Sequence, residues 1–188
     1  MKKQTSLRIK MLFGFLIFGL MGCSSQKALV SEIDAQNQGK NALIKLMVNG
    51  KDLFNNGSSN LNSGNPGLEY CGIWSNNLQG LKSAKGEAVK TFESDIFRGN
   101  TVIWLGSVDQ VSRRKGYSIR ILQIELNSND CGAFENNILP GESGIVQTSV
   151  EDNAEVGCKS SYAIWFEIKN RRGDTRSFRL DPWVLIRN

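Results

Sequence analysis

The chain of 188 residues contains no histidine, and this absence limits the chemistry that it can perform. Nucleophile systems that pair serine or cysteine with histidine are excluded, because the imidazole is their general base. Zinc sites with histidine ligands and the histidine–cysteine copper site of cupredoxins are excluded for the same reason. We therefore expect a protein without a cofactor.

A segment long enough to cross a membrane is also missing. The most apolar stretch, residues 11–20, has about ten residues, whereas a helix needs about 20 to cross the core of a bilayer. Residues 1–10 before it contain basic residues and no acid: Lys2, Lys3, Arg8 and Lys10. A basic segment, a short apolar run and a small residue in this order are typical of a secretory signal.

The apolar run ends in Leu20-Met21-Gly22-Cys23, which resembles the lipobox of bacterial lipoproteins. In that family the cysteine receives a diacylglycerol on its sulfur, the chain is cut before it, and the new amine is acylated. The resemblance implies that residues 1–22 are a helical signal peptide and that Cys23 is the lipidation site. Two or more acyl chains anchor a protein stably in a membrane. Ser24 in place of Asp after the cysteine implies the outer membrane.

Removal of the signal peptide changes the charge balance. Four of the 23 basic residues and none of the 18 acidic residues lie in residues 1–22, so the mature chain has a net charge of only +1. Such a balance gives no reason to expect a nucleic-acid partner.

Three cysteines remain after Cys23, and an oxidising envelope compartment allows one disulfide among them. Sequence alone permits three pairings. We predict Cys131 with Cys158, because both lie in polar, glycine-flanked loop sequence. Cys71 lies in the apolar stretch 68–74 and is predicted to be a buried thiol. The chain has no Cys-x-x-Cys motif that would favour a redox site.

Strand-like segments follow one another through residues 41–188 without a long amphipathic helix. The polar residues 23–40 before them form a predicted tether. We predict an all-β domain of about seven or eight strands in a two-sheet antiparallel sandwich, with an immunoglobulin-like or cupredoxin-like outline. The segments are residues 42–48, 68–74, 101–106, 117–126, 145–150, 162–168, 175–180 and 183–186, with residues 88–97 either a strand or a short helix.

Local signals refine this outline. The alternation of apolar residues in 117–126 slips by one position, from Tyr117, Ile119 and Ile121 to Leu122, Ile124 and Leu126, which predicts a β-bulge. Asn49-Gly50 is a signal for a type I′ turn. Residues 107–116 are predicted to be a charged connection that carries Arg113, Arg114 and Lys115, and residues 127–144 a long loop.

Candidate ligands are few. Trp165 lies on the strand face opposite the apolar residues 162, 164, 166 and 168, so it is a candidate exposed aromatic contact. Arg171 and Arg172, in the adjacent turn, are candidate binding residues and otherwise form a solvated tip. Oxygen donors that could hold calcium occur on two loops, at Asn127, Asn129, Asp130 and residues 151–153, but their spacing differs from that of an EF-hand. The sequence therefore predicts no metal site.

A pair of carboxylates could still hydrolyse a glycan, and the sequence does not choose a pair. The available acids are Glu93, Asp95, Asp109, Glu125, Glu135, Glu142, Glu151, Asp152, Glu155 and Glu167. The leading hypothesis is a lipid-anchored, non-enzymatic module that binds a protein or glycan partner at the periplasmic or outer face of the envelope. The alternatives are an envelope glycan hydrolase and a purely structural lipoprotein.

Overall fold

The structure is a computed structural model that describes residues 41–61, 64–77 and 80–188. The predicted signal peptide (1–22) and the predicted tether (23–40) with Cys23 lie outside the described residues. Their boundaries stay predictions. Within the described residues, no helix is long and apolar enough to span a membrane.

Alternating apolar residues give eleven strands in the described part of the chain. The strands are β1 (Ala42–Val48), β2 (Cys71–Asn77), β3 (Gly80–Lys85), β4 (Glu93–Phe97), β5 (Thr101–Val108), β6 (Ser118–Leu126), β7 (Ile138–Pro140), β8 (Ile145–Ser149), β9 (Lys159–Lys169), β10 (Thr175–Leu180) and β11 (Trp183–Arg187). Two short helices, α1 (Gly50–Asn56) and α2 (Gln110–Arg114), and two 3-10 turns, Leu68–Tyr70 and Gly86–Val89, connect them.

The strands form two sheets, as the sequence predicted. One sheet has the order β3-β2-β1-β5-β8, and the other has the order β4-β11-β9-β6-β7 with β10 also paired to β9. Apolar side chains from the two sheets meet between them; Trp104 of β5, for example, contacts the rings of Tyr162 and Phe134 edge to face. Burial of one such side chain stabilises the fold by about 1.5–3 kcal/mol.

Two details of the predicted sandwich are wrong. The sheets are mixed rather than antiparallel, because β1 pairs with β5 and β4 pairs with β11 in parallel. Alternation along a strand shows which side chains are buried, but not the direction of the neighbouring strand. The count is eleven rather than seven or eight, because β3, β4 and β7 are short strands in segments whose pattern is ambiguous or loop-like.

The predicted bulge in β6 is confirmed. Ile121 pairs with Phe166 and Gln123 pairs with Trp165, so Leu122 is an extra residue in the ladder. The bulge allows Ile121 before it and Ile124 after it to be buried in the same core, despite the slip in the sequence.

The predicted turn at Asn49-Gly50 is wrong. Asn49 is instead the N-cap of α1, and its Oδ1 accepts a hydrogen bond from the Asp52 N–H at 3.2 Å. Asparagine favours both turns and helix N-caps, so the dipeptide alone does not distinguish them. Gly50 is required by packing, since a Cβ there would lie 2.9 Å from Cγ1 of Val108.

Candidate functional site

Trp165, the candidate contact residue predicted from the sequence, lies on the outer face of β6, β9 and β10. Residues 162, 164, 166 and 168 of β9 are buried in the core, so the alternate residues Trp165, Glu167 and Lys169 lie on the outer face. Their neighbours across the ladders come from β6 and β10 and are almost all polar: Ser118, Arg120, Gln123, Glu125, Thr175, Ser177 and Arg179.

Trp165 is half-buried rather than free. Its Nε1–H donates to Glu125 Oε2 at 2.6 Å, and the Arg179 guanidinium lies over its ring, 5.7 Å from the centroid. Arg179 is held in turn by Asp181 at 3.0 Å and by Asn127 Oδ1 at 3.1 Å. The face around Trp165 is therefore a polar, hydrogen-bonded surface, and not a flat apolar patch.

A shallow groove of about 340 Å³ runs along the same face beside the β9–β10 turn. Its volume is at the lower end of the range of small-molecule sites. Arg120 and Glu167 form an ion pair across it, with 2.9 Å between Nε and Oε1. The lining residues are Ser118, Ile119, Arg120, Glu167, Lys169, Gly173 and Thr175. The groove therefore combines two hydroxyls, one ion pair and one further cation, Lys169, with the apolar Ile119.

Arg171 and Arg172 are exposed at the tip of the β9–β10 turn, as the sequence predicted for a polar hairpin. Asn170 organises this turn. Its Oδ1 accepts hydrogen bonds from the Arg172 N–H at 2.8 Å and the Asp174 N–H at 3.0 Å, and its Nδ2 donates to Asp174 Oδ2 at 2.9 Å. Backbone and Asn170 contacts hold the turn, so both arginine side chains remain available to a ligand.

A second basic segment meets this tip. α2 and the residue after it carry Arg113, Arg114 and Lys115, all exposed, and Gly116 follows with φ +80°. A Cβ on Gly116 would lie 3.0 Å from the Cβ of Arg171, so the two segments are in contact. In the sequence they are two separate charged segments, because their proximity depends on the antiparallel pairing of β6 with β9.

Several of the candidate carboxylates for a hydrolase are held in ion pairs. Ion pairs join Glu93 to Lys159 and Asp95 to Arg187, each at 2.9 Å. Glu167 is the one carboxylate among the lining residues of the groove, where Arg120 neutralises it. Glycosidases need two carboxyl groups facing each other across the scissile bond, and this groove does not provide them.

Asp109 acts in the fold as the N-cap of α2. Burial raises the pKa of its carboxyl, but hydrogen bonds from Ser112, Val111 and Gly50 outweigh this and lower the pKa below its ordinary value. A carboxylate that accepts backbone N–H groups in this way stays ionised at neutral pH, so Asp109 is unsuited to act as a general acid.

The loops that the sequence offered for calcium are held by hydrogen bonds. Asn127 Nδ2 donates to Ser161 Oγ at 2.9 Å, and Asn129 Nδ2 donates to the Phe134 carbonyl at 2.6 Å. In the described ranges, no group of three or more Cys, Asp or Glu side chains is placed to hold a metal ion.

The predicted disulfide between Cys131 and Cys158 is confirmed, and it joins the loop after β6 to the start of β9. Cys71 is a free, buried thiol, as predicted. Burial, with a smaller effect of the nearby Glu69 charge, raises the pKa of Cys71 to about 12. The thiol is therefore protonated at neutral pH and is not a nucleophile.

Comparison with known proteins identifies a similar fold and no family. No protein-family model and no curated protein matches the chain. Among solved structures, the inclusion body protein PixA from Burkholderia cenocepacia J2315 is similar to it, with a TM-score of 0.52 and 15% sequence identity over 80% of this chain and 98% of that one. At this identity the similarity concerns the sandwich fold alone.

Proposed function

We propose that this chain is a lipid-anchored protein of the bacterial cell envelope, with a β-sandwich that serves as a non-catalytic binding or assembly module. The lipid anchor is inferred from one observation: basic residues, a short apolar run and Leu20-Met21-Gly22-Cys23 follow one another at the N-terminus. A diacylglyceryl group on Cys23 and an acyl chain on its amine anchor the protein stably, because two or more chains bind far more strongly than one.

Three features of the described residues support a module over an enzyme. The acids of the outer face are paired with cations or N–H groups, as Glu167 is with Arg120 and Glu125 with Trp165. The groove is shallow and lined by mixed polar side chains. The free thiol of Cys71 is buried and protonated. Surfaces of this kind suit the recognition of a partner better than a chemical step.

Mass spectrometry of the protein purified from a bacterial host tests the anchor. The expected N-terminal peptide begins at Cys23 and carries the added mass of a diacylglyceryl group and an acyl chain. The Cys23→Ser variant of the full chain is the control and should lack both the cleavage and the added mass. An unmodified Cys23 in the wild-type protein would refute the proposal.

Membrane fractionation tests the proposed location at the outer membrane. The wild-type chain is expected in the outer-membrane fraction, and the Ser24→Asp variant is expected to be retained at the inner membrane. Equal distribution of the two proteins would refute the sorting role of residue 24 and leave the lipid anchor itself unaffected.

A further inference from the structure

The strand directions give the sandwich two ends. β1 and β5 are parallel, and both begin at the end where Asn41 lies, since Asn41 Oδ1 accepts a hydrogen bond from the Thr101 N–H at 3.1 Å. We call this the proximal end. Both strands finish at the opposite, distal end, where the Val48 carbonyl accepts a hydrogen bond from the Asp109 N–H at 2.9 Å. The nine residues of β6 span about 30 Å between the ends.

Five exposed cations gather at the distal end, and we call them the basic pole: Arg113, Arg114, Lys115, Arg171 and Arg172. None of them forms an ion pair within the described residues. Three acids lie beside them, Asp109, Asp174 and Asp52, and each is hydrogen-bonded to neutral groups, which do not cancel a negative charge. With five cations against these three acids, the basic pole keeps an excess of positive charge in a mature chain whose net charge is only +1.

The opposite sign collects at the proximal end. Its exposed acids form what we call the acidic pole: Asp130, Glu135, Glu151, Asp152 and Glu155. Backbone hydrogen bonds bring these loops together, from Glu151 to Ala133 and from Glu155 to Cys131, each at 2.9 Å. Arg98, Lys159 and Arg187 also lie at this end, and the last two are paired with Glu93 and Asp95. Unpaired charge is therefore distributed unevenly along the strand axis, which neither the net charge nor any local motif indicates.

The groove on the outer face extends from the basic pole. Lys169 and Gly173 line it and flank the turn that carries Arg171 and Arg172. The hydroxyls of Ser118 and Thr175 can exchange hydrogen bonds with sugar hydroxyls, while Lys169 and the basic pole attract carboxylate or phosphate groups. The apolar area that forms the centre of a protein–protein interface is small here, since Val111 is the one large apolar residue exposed by more than half on α2.

We infer that the basic pole and the adjoining groove bind an anionic glycan, a polysaccharide that carries carboxylate or phosphate groups. This inference rests on the proposed function for its setting, a lipid-anchored module of the cell envelope. Self-association of two copies through oppositely charged poles is the alternative, and sedimentation of the pole variants tests it.

Binding of fluorescent oligosaccharides to the detergent-solubilised full chain tests the inference. Each of two pairs of probes compares an anionic glycan with a neutral one of the same sugar: polygalacturonate against its methyl ester, and phosphomannan against neutral mannan. We expect one or both anionic probes to bind and both neutral probes to fail. The affinity is also expected to fall as salt is raised from low to physiological concentration, because exposed charges are screened.

Two variants remove the basic pole in parts, R171Q/R172Q and R113Q/R114Q/K115Q, and K45Q/K85Q removes two cations of the other sheet as a matched control. Each exposed charge contributes modestly, so each pole variant should weaken binding about tenfold while the control stays within about twofold. Equal affinity of the pole variants and the wild type would overturn the inference. So would failure of both anionic probes to bind.

The remaining outcomes assign the basic pole to another partner and would also overturn the inference. They are binding of polyglutamate as tight as that of the glycans, binding of phosphatidylglycerol vesicles without glycan binding, and self-association that the pole variants abolish in sedimentation. The mass of the Cys23 peptide, measured on the same sample, separates the two proposals. An unmodified Cys23 refutes the anchor and leaves the glycan result standing.

Discussion

The two ends of the sandwich are built differently, and the difference separates residues that hold the fold from residues that are free to bind. At the proximal end, long loops are fixed by the disulfide between Cys131 and Cys158 and by backbone hydrogen bonds. At the distal end, short turns are fixed by side-chain caps from Asn49, Asp109 and Asn170. A capped turn does not depend on its exposed side chains for stability. The distal arginines and lysine therefore have no structural partner within the described residues.

The largest effect should follow removal of the disulfide. The bridge closes a loop of 27 residues, so the double substitution C131S/C158S is expected to lower the free energy of unfolding by about 3–4 kcal/mol. Urea denaturation followed by circular dichroism measures this loss. The C71A variant keeps the bridge and should lose only about 1–2 kcal/mol, from a small cavity. A loss below about 1 kcal/mol in the double variant would show that hydrogen bonds alone hold the proximal loops.

Glycine substitutions compare the two ends directly. Gly116 and Gly132 both have positive φ, +80° and +60°, but only Gly116 faces a close neighbour, Arg171. We expect G116A to lower the free energy of unfolding by about 2–3 kcal/mol, from backbone strain together with the displaced turn, and G132A by about 1 kcal/mol from strain alone. Thermal denaturation of both variants checks the difference. Equal losses would show that the contact between the two basic segments is loose.

The cap of α2 should give a smaller, pH-dependent effect. D109A is expected to cost about 1 kcal/mol at pH 7. D130A at the proximal end, where the exposed side chain forms no hydrogen bond within the described residues, is expected to cost less than about 0.5 kcal/mol. The pKa of Asp109 is lowered from 3.8 in the folded state, so its contribution is complete above that value. It is lost as the pH falls through the lower folded-state pKa.

Denaturation of the wild type and D109A between pH 6 and pH 2 measures this dependence. The difference between the two proteins should be constant down to about pH 4 and shrink below it. A difference that stays constant at pH 2 would contradict the role of the ionised carboxylate. A difference that grows on acidification would contradict the direction of the pKa shift.

Features that depend on one strand could be predicted from the sequence. The alternation of apolar residues shifts by one position between Ile121 and Leu122. A strand with one buried face can bury the apolar residues on both sides of this shift only if one extra residue bulges out of the ladder, so the sequence indicates the bulge. Cys131 and Cys158 lie in polar loop sequence while Cys71 lies in an apolar segment, and the structure pairs the first two and leaves Cys71 as a free thiol. Burial alone does not distinguish them, since Cys131 is as buried as Cys71. These predictions succeed because each is fixed by the residue's own local surroundings.

Features that depend on two distant segments could not be predicted. The parallel pairing of β1 with β5 requires the chain to leave the first sheet after β3 and return after β4, and no residue pattern records that path. The basic pole has the same origin, since residues 113–115 and 171–172 meet only once β6 pairs with β9. Trp165 was located on the correct face, but Glu125 and Arg179, which cover it, come from other strands.

The smallest effect on stability is expected from removal of charges in the basic pole. R171Q/R172Q should change the free energy of unfolding by less than about 0.5 kcal/mol, since both side chains are exposed and form no ion pair in the described chain. At low salt the change should be slightly stabilising, because neighbouring cations repel one another, and it should vanish at high salt. E135Q/E155Q at the acidic pole is the matched control and should behave alike. A loss of more than about 1 kcal/mol in the free energy of unfolding of R171Q/R172Q would mean that the two arginines stabilise the fold. They would then not be free to bind a glycan.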